Sequence, residues 1–154
     1  MNPINFIQTN MPKYFTLKEL CSSNKAVLYG IDNFPTFEIA DHLQQLADTI
    51  LDPLRVAWGS AIRVTSGYRC TRLNDIVGGV ATSAHKTGYA ADLQPVNGKT
   101  EDFVGFARTW VRVNGIKFDQ LIRETDKQGH VWLHIGLYGP GNCQRGQILN
   151  IVKP

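Results

Sequence analysis

The sequence lacks the features that mark several large protein classes. It has three cysteines, Cys21, Cys70 and Cys143, and an odd number without CxxC spacing fits neither a disulfide framework nor a four-cysteine zinc site. We therefore expect free thiols, in a protein made in a reducing compartment. The net charge is only +3, and no run of five Lys or Arg residues occurs. This composition predicts no nucleic acid partner.

Long apolar runs and a targeting pattern are also missing. No apolar stretch approaches the ~20 residues of a membrane span, so we expect no membrane insertion. The N-terminal sequence MNPINFIQTNMPKYF has no basic region followed by an apolar run, so it does not read as a secretory signal. We expect a monomer that is made in the cytoplasm and that reaches any target outside the membrane by another route.

Apolar periodicity predicts a single domain over residues 1–154, with residues 1–13 as an extended arm. Thr16 and Glu19 form a capping box that opens a short helix, and residues 24–35 read as a loop. A longer helix follows Thr36, and Pro53 kinks or ends it. Its apolar face comprises Ile39, Leu43, Leu46, Ile50 and Leu54. Further on, the pattern predicts a strand ending at Ser66, a helix over 71–77, a strand over 89–94 and a helix from Thr100 to Asn114.

The last third of the chain alternates apolar and polar residues. The segments FDQLIRE and HVWLHIGL flank the loop TDKQG, which predicts a hairpin. With residues 125–129 as the loop, Glu124 would lie opposite His130 and Gln120 opposite His134. Strands interleaved with helices, followed by this hairpin, predict an α+β fold with a central, mainly antiparallel sheet and flanking helices.

The segment SAHKTGYAADL, residues 83–93, places His85 and Asp92 seven positions apart. Alone this is a weak signal, because a turn entering an ordinary strand gives the same pattern. The hairpin adds His134 as a third candidate ligand, and Glu124 and His130 as candidate acid/base groups. Zinc accepts imidazole and carboxylate ligands, about three in a catalytic site, and it activates water and polarises a carbonyl. The plainer alternatives are a packed strand histidine and a solvated hairpin glutamate.

Together the motifs resemble the zinc D-Ala-D-Ala carboxypeptidase family of bacterial cell-wall peptidases, which shares its fold with the signalling domain of hedgehog proteins. The motifs are SGYRC, LN, VGG, S-x-H-x-x-G-x-A-x-D, FDQLI-x-E and W-x-H-I, and the resemblance covers roughly residues 14–138. It is strongest to the phage and prophage subgroup, which also carries the motifs found here at Phe15–Leu20 and Leu51–Arg55. The resemblance implies a hedgehog/DD-peptidase-like fold and a Zn²⁺ cofactor.

The resemblance also implies roles for individual residues. It makes His85, Asp92 and His134 the zinc ligands, and it makes Arg69 the arginine that faces the substrate or the oxyanion. A structural salt bridge under the turn is the alternative for Arg69. Ser83 matches a serine that hydrogen-bonds within the site, and we add Gln120 as a substrate-binding candidate.

One position departs from the pattern of many family members. These place the catalytic carboxylate three residues before the last histidine ligand, where this chain has Val131. Glu124, on the preceding strand, takes its place in the subgroup, and His130 is the second candidate. The expected function is zinc-dependent hydrolysis of peptide bonds next to D-amino acids in peptidoglycan stem peptides, by a carboxypeptidase or an endolysin endopeptidase.

Two other functions remain open at the level of sequence. One is a domain of the same fold that binds zinc and the cell wall, or serves in a virion, without hydrolysis. The other is a metal-free enzyme that uses Cys70 or Cys143 with a histidine. The expected site of action is the bacterial cell wall, after release by a holin or from a virion.

Overall fold

A computed structural model describes residues 13–154, so most of the predicted arm lies outside the described residues. A five-stranded mixed sheet with flanking helices forms the described chain, which confirms the α+β class. The helices are α1 (Leu17–Cys21), α2 (Asn24–Leu28), α3 (Phe37–Leu46), α4 (Asp52–Trp58), α5 (Thr71–Ile76) and α6 (Thr100–Val113). The strands are β1 (Ile62–Ser66), β2 (Ala90–Pro95), β3 (Gln120–Thr125), β4 (Val131–Gly136) and β5 (Gln147–Val152). Two short 3₁₀ turns cover Ala84–Thr87 and Pro140–Asn142.

The N-terminal capping box forms as predicted, and a second cap follows it. Thr16 Oγ1 accepts a hydrogen bond from the backbone N–H of Glu19 at 3.1 Å and opens α1. The prediction of a loop over residues 24–35 is wrong in its first part. Ser23 Oγ accepts from the N–H of Ala26 at 3.1 Å and starts α2 there. A serine side chain in this position satisfies an otherwise unpaired N–H of the first turn.

The long predicted helix is real, but a π-helical turn divides it. Ala47–Leu51 forms this wider turn between α3 and α4, and Pro53 follows in the first turn of α4. Proline has no N–H to donate and its ring crowds the carbonyl four residues earlier, so a wider turn relieves both problems. Four of the five predicted apolar residues are fully buried; they are Leu43, Leu46, Ile50 and Leu54.

The sheet has the strand order β1-β2-β4-β3-β5. The β3–β4 hairpin exists, but its predicted register is wrong by two residues, because Glu124 pairs with Trp132 and Ile122 with His134. Asp126 accepts hydrogen bonds from Gln128 N and His130 N within the loop, and its own N–H donates to the His130 carbonyl at 3.1 Å, which closes the loop between these two residues. Since side chains alternate with period two, an error of two residues leaves every side chain on its predicted face.

Strand β5 was not predicted, and it makes the sheet mixed. It runs parallel to β3, with Glu124 paired to Ile151 and Thr125 to Val152. The ladder continues beyond the strand, since the N–H of Lys153 donates to the carbonyl of Thr125 at 2.7 Å. On α6, Arg108 donates to the carbonyl of Leu149 at 2.9 Å.

The two faces of the sheet have different surroundings. One face contributes fully buried apolar side chains to a core shared with α3, α4 and α6, among them Leu93, Leu121, Leu133 and Ile135. Alternate residues of the same strands carry Asp92, Glu124 and His134 toward the other face. The core thereby holds the polar side chains on a rigid support.

Candidate metal centre

Asp92 and His134 form a directly opposed pair on the antiparallel strands β2 and β4. Opposed residues on neighbouring strands place their side chains on one face, about 5 Å apart at the Cβ atoms. His134 Nδ1 lies 3.0 Å from Oδ1 of Asp92. Both side chains are buried, with about 6–8% of each residue exposed.

His85 reaches the same point from the 3₁₀ turn, where the SGYR segment holds it in place. Its Nδ1 contacts the carbonyl oxygen of Gly67 at 2.7 Å, and the N–H of Arg69 donates to the His85 carbonyl at 3.0 Å. Gly88 ends the turn with φ +80°, a left-handed conformation that favours glycine. The chain can then enter β2 directly, which delivers Asp92 next to His85.

The three side chains converge on a triangle of donor atoms. His85 Nε2 lies 3.2 Å from His134 Nδ1 and 3.2 Å from Asp92 Oδ1, and the third edge is 3.0 Å. A tetrahedral zinc ion with bonds near 2.0 Å holds its ligand atoms about 3.3 Å apart. The second ring nitrogen of His85 donates to a carbonyl, as in many zinc sites. The donor set and its spacing therefore fit a zinc ion with three protein ligands.

The protonation of these groups suits metal binding. Burial lowers the pKa of His85, which favours the neutral imidazole that a metal requires. Burial alone would raise the pKa of Asp92, but His85 and His134 outweigh it and hold that pKa below its ordinary range. Asp92 is accordingly an ionised carboxylate.

Arg69 contacts Oδ2 of Asp92, whereas both histidines contact Oδ1. All three of its guanidinium nitrogens make contacts: Nε with Ser66 Oγ at 3.0 Å, Nη1 with Asn74 Oδ1 at 3.3 Å, and Nη2 with Asp92 Oδ2 at 3.4 Å. Burial lowers the pKa of Arg69, while Asp92 and Glu124 raise it, and a guanidinium stays charged in proteins. These contacts match the salt bridge under the turn, the alternative raised for this residue.

Glu124 lies on β3, next to the strand β4 that carries His134, and it lines the same cleft as His85 and His134. It is 4% exposed, and both of its oxygens have partners. Trp132 Nε1 donates to Oε2 at 2.6 Å, and Lys153 Nζ lies 3.3 Å from Oε1. The carboxylate is therefore fixed in one orientation, next to the candidate ligands on the same face of the sheet.

The other predicted site residues lie in different positions. The structure does not bring His130 to the cluster: its side chain is 71% exposed and pairs with Asp126 at 2.7 Å in the hairpin loop. Ser83 Oγ accepts from the N–H of His85 at 3.3 Å and so caps the 3₁₀ turn. Gln120 Nε2 donates to Gln147 Oε1 at 2.8 Å, at the edge of the cleft.

A cleft of about 290 Å³ opens over the cluster. Its lining includes five predicted site residues besides Arg69, namely Ser83, His85, Gln120, Glu124 and His134, together with two unpredicted cations, Arg145 and Lys153. A larger groove of about 640 Å³ runs between α1, α2 and residues 31–35, and none of the predicted site residues lines it. Chemistry rather than volume therefore identifies the site.

Sequence reasoning missed the contribution of the C-terminal segment to this cleft. Arg145 binds the buried carboxylate of Asp119 through Nε at 2.8 Å and Nη2 at 2.7 Å, which fixes the loop before β5. Lys153 arrives on β5. The run of β-branched residues in QILNIV was a signal for this strand, but its partner could not be read from the sequence.

The described residues contain no helix that is both long and apolar enough to cross a membrane. A search of curated proteins finds no match. A protein-family comparison matches the model described as Peptidase M15 over residues 13–131, which is more than half of the chain. This range contains His85, Asp92 and Glu124 and ends just before Trp132 and His134. The motifs, the fold and this match lead to one conclusion: the chain belongs to the Peptidase M15 family of zinc metallopeptidases.

Proposed function

We propose that the protein is a zinc-dependent peptidase that hydrolyses peptide bonds next to D-amino acids in peptidoglycan stem peptides. The observation that carries the proposal is the buried triangle of His85, Asp92 and His134 with a fixed carboxylate, Glu124, lining the same cleft. Membership of the family supports metallopeptidase activity, and the proposed substrate follows from the motifs. We also propose the hedgehog/DD-peptidase-like form of the α+β fold.

In this proposal His85 Nε2, Asp92 Oδ1 and His134 Nδ1 hold the zinc ion. Zinc, when bound, supplies Lewis-acid chemistry, which activates water and polarises the carbonyl of the scissile bond. Arg69 orients Asp92 through the contact of its Nη2 with Oδ2 at 3.4 Å. The carbonyl of Gly67 does the same for the ring of His85.

Glu124 is the proposed general base. It takes a proton from the attacking water as the new C–O bond forms, and it delivers that proton to the leaving amine as the C–N bond breaks. Trp132 orients the carboxylate by donating to Oε2. Arg69 and Gln120 line the cleft and are proposed to contact the substrate, whereas Ser83 acts through the backbone of His85. His130 has no part in this mechanism, because its side chain binds Asp126 at the exposed loop.

The proposed setting is a phage or prophage lysis protein. In this setting the protein would reach the cell wall after release or from a virion. The motifs Phe15–Leu20 and Leu51–Arg55 support this subgroup. The first motif borders the site, since α1 contacts the SGYR turn, where Tyr68 N donates to the Leu20 carbonyl at 2.7 Å. The second motif contributes Leu51 and Leu54 to the core.

The test is digestion of purified peptidoglycan by the zinc-loaded protein, with products identified by mass spectrometry. Release of a terminal D-amino acid would show a carboxypeptidase, and release of larger fragments would show an endopeptidase. We expect Glu124→Gln to keep its zinc and to lose about 10²–10⁴-fold in rate, the usual contribution of a general base. Inhibition by a chelator and recovery with zinc would exclude cysteine chemistry. A zinc-loaded wild-type protein that releases no product would overturn the proposal and favour a zinc-binding domain without catalysis.

A further inference from the structure

Lys153 occupies a fixed position at the wall of the cleft. Its backbone N–H continues the β5–β3 ladder by donating to Thr125, so the side chain projects from a defined point. Its Nζ lies 3.3 Å from Oε1 of Glu124, and 47% of the side chain is exposed. The ammonium group therefore touches the proposed base and also faces solvent.

The three cations that line the cleft differ in what they already bind. Arg69 contacts Ser66, Asn74 and Asp92 through its three nitrogens. Arg145 is held by Asp119 through two of its nitrogens. An ammonium group has three donors. Within the described residues, the Lys153 side chain forms an ion pair with Glu124 and with no other residue. Lys153 is thus the cation best able to accept a new anionic partner.

Two adjoining cavities meet at this point. The cleft over the candidate metal centre and a second cavity of about 310 Å³ share Arg69, Glu124 and Lys153 in their linings. Both cavities also contact Gly79, and the second adds Asp92, Trp132 and Gly78. A peptide lying across both cavities would pass directly over the Lys153 side chain.

We propose that Lys153 binds a carboxylate of the substrate and thereby selects anionic peptides. The inference rests on the proposed peptidase function and adds a specificity-determining residue to it. Stem peptides carry carboxylates at the terminal residue and on internal acidic residues, and both share the chemistry that an ammonium recognises. On binding, Lys153 shares its donors between Glu124 and the substrate carboxylate, which places the peptide next to the base.

The experiment compares the zinc-loaded wild-type protein with Lys153→Met and Lys153→Arg. The substrates are synthetic stem peptides ending in D-Ala-D-Ala in three forms: unmodified, amidated at the terminal carboxylate, and amidated at the internal acidic residue. We expect one of the two amidations to raise KM of the wild type at least about tenfold, which corresponds to about 1.4 kcal/mol. The form affected identifies the carboxylate that Lys153 binds. In Lys153→Met this preference should disappear, and Lys153→Arg should retain part of it.

A matched control is Lys127→Met, which removes an exposed lysine from the hairpin loop and should keep the wild-type preference. Calorimetric binding of the same peptides to zinc-loaded Glu124→Gln, with and without Lys153→Met, gives a second readout that needs no turnover. An unchanged preference in Lys153→Met, or an equal loss in Lys127→Met, would overturn the inference. If the protein hydrolyses the peptides without such a preference, the proposed peptidase function stands and the role of Lys153 is wrong. If it binds carboxylate-bearing peptides selectively without hydrolysing them, the peptidase function is wrong and the role of Lys153 stands.

Discussion

Trp132 donates its indole N–H to Oε2 of Glu124 at 2.6 Å, across a directly opposed pair of the β3–β4 hairpin. The residue two positions along β4 from Trp132 is His134. One strand thus carries both a candidate ligand and the group that orients the proposed base. A hydrogen bond to a charged acceptor contributes about 1.5–3 kcal/mol.

Trp132→Phe keeps an aromatic side chain, although a smaller one, and removes this donor. We expect kcat on stem peptides to fall about 10- to 100-fold with KM nearly unchanged, since about 1.4–2.8 kcal/mol of positioning is lost from the reacting state. Trp58→Phe is the matched control, because Nε1 of Trp58 has no hydrogen-bond partner within residues 13–154. Steady-state kinetics check both variants, and full activity in Trp132→Phe would contradict the positioning role.

Removal of a ligand should abolish tight zinc binding. We expect His134→Ala and His85→Ala to weaken zinc affinity by more than about 100-fold, because loss of a supporting residue alone costs about 10–100-fold. His130→Ala should bind zinc like the wild type, since His130 contacts Asp126 in the exposed loop. Metal analysis and competition with a chelating dye measure these affinities.

Zinc should also stabilise the fold. At a free zinc concentration of about 1,000 times Kd, binding adds about 4 kcal/mol. For a chain of this size a chelator should then lower Tm by roughly 8–16 °C. A Tm that does not respond to chelator would show that the three side chains bind no metal.

The Asp119–Arg145 pair should make stability depend on pH. Burial alone would raise the pKa of Asp119, but hydrogen bonds from Arg145 outweigh it and hold the pKa below its ordinary value. The unfolded chain then binds a proton more readily than the folded one, so the contribution is complete above the unfolded pKa of about 4. It is lost as the pH falls through the lower, folded pKa.

Asp119→Asn should therefore lower the free energy of unfolding by about 1–3 kcal/mol at pH 7, and the difference should shrink below about pH 4. Urea unfolding from pH 3 to pH 7 measures the effect. Asp41→Asn, at an exposed helix position, should show little change across the same range. A constant difference at every pH would rule out the carboxylate charge as its cause.

Gly67 is required where the SGYR turn passes α1. A Cβ atom there would overlap the carbonyl oxygen of Leu20 and lie 2.8 Å from its carbon. Because these are backbone atoms, Gly67→Ala should cost about 1–3 kcal/mol and should shift the carbonyl that holds His85. Gly105→Ala is the control, since its Cβ would meet nothing within 4 Å on the helix α6, and it should stabilise by about 0.5–1 kcal/mol. Thermal unfolding and zinc affinity distinguish the two variants.

The residues predicted to form the metal centre could be identified from the sequence because short segments of the chain, one turn and one strand, determine where their side chains lie. His85 and Asp92 lie on either side of one turn, and the alternation of β4 fixes the face of His134. The error of two residues in the hairpin register left Glu124 on the correct face, because the period of a strand is two.

Other parts depend on contacts between distant segments, which a local pattern does not encode. No short turn connects β3 to β5, so the sequence contains no local signal for their parallel pairing. Lys153 was therefore not predicted to lie in the cleft. His130 looked equivalent to His134 in the alternating pattern, but the carboxylate of Asp126 holds it in the loop. Predicting the contact between Trp132 and Glu124 requires the correct hairpin register, which is set by hydrogen bonds within the loop.

Strand β5 also affects how copies of the protein meet one another. It is an edge strand, and open edges invite another chain to add a strand and begin aggregation. Next to this edge Arg108 binds Oδ1 of Asn150 at 2.7 Å, and the strand is followed by a lysine and by a proline, which has no N–H to offer. These features disfavour edge-to-edge pairing of this sheet with another copy. For the proposed function on insoluble peptidoglycan this matters, because copies that stay separate in solution can each diffuse to the polymer.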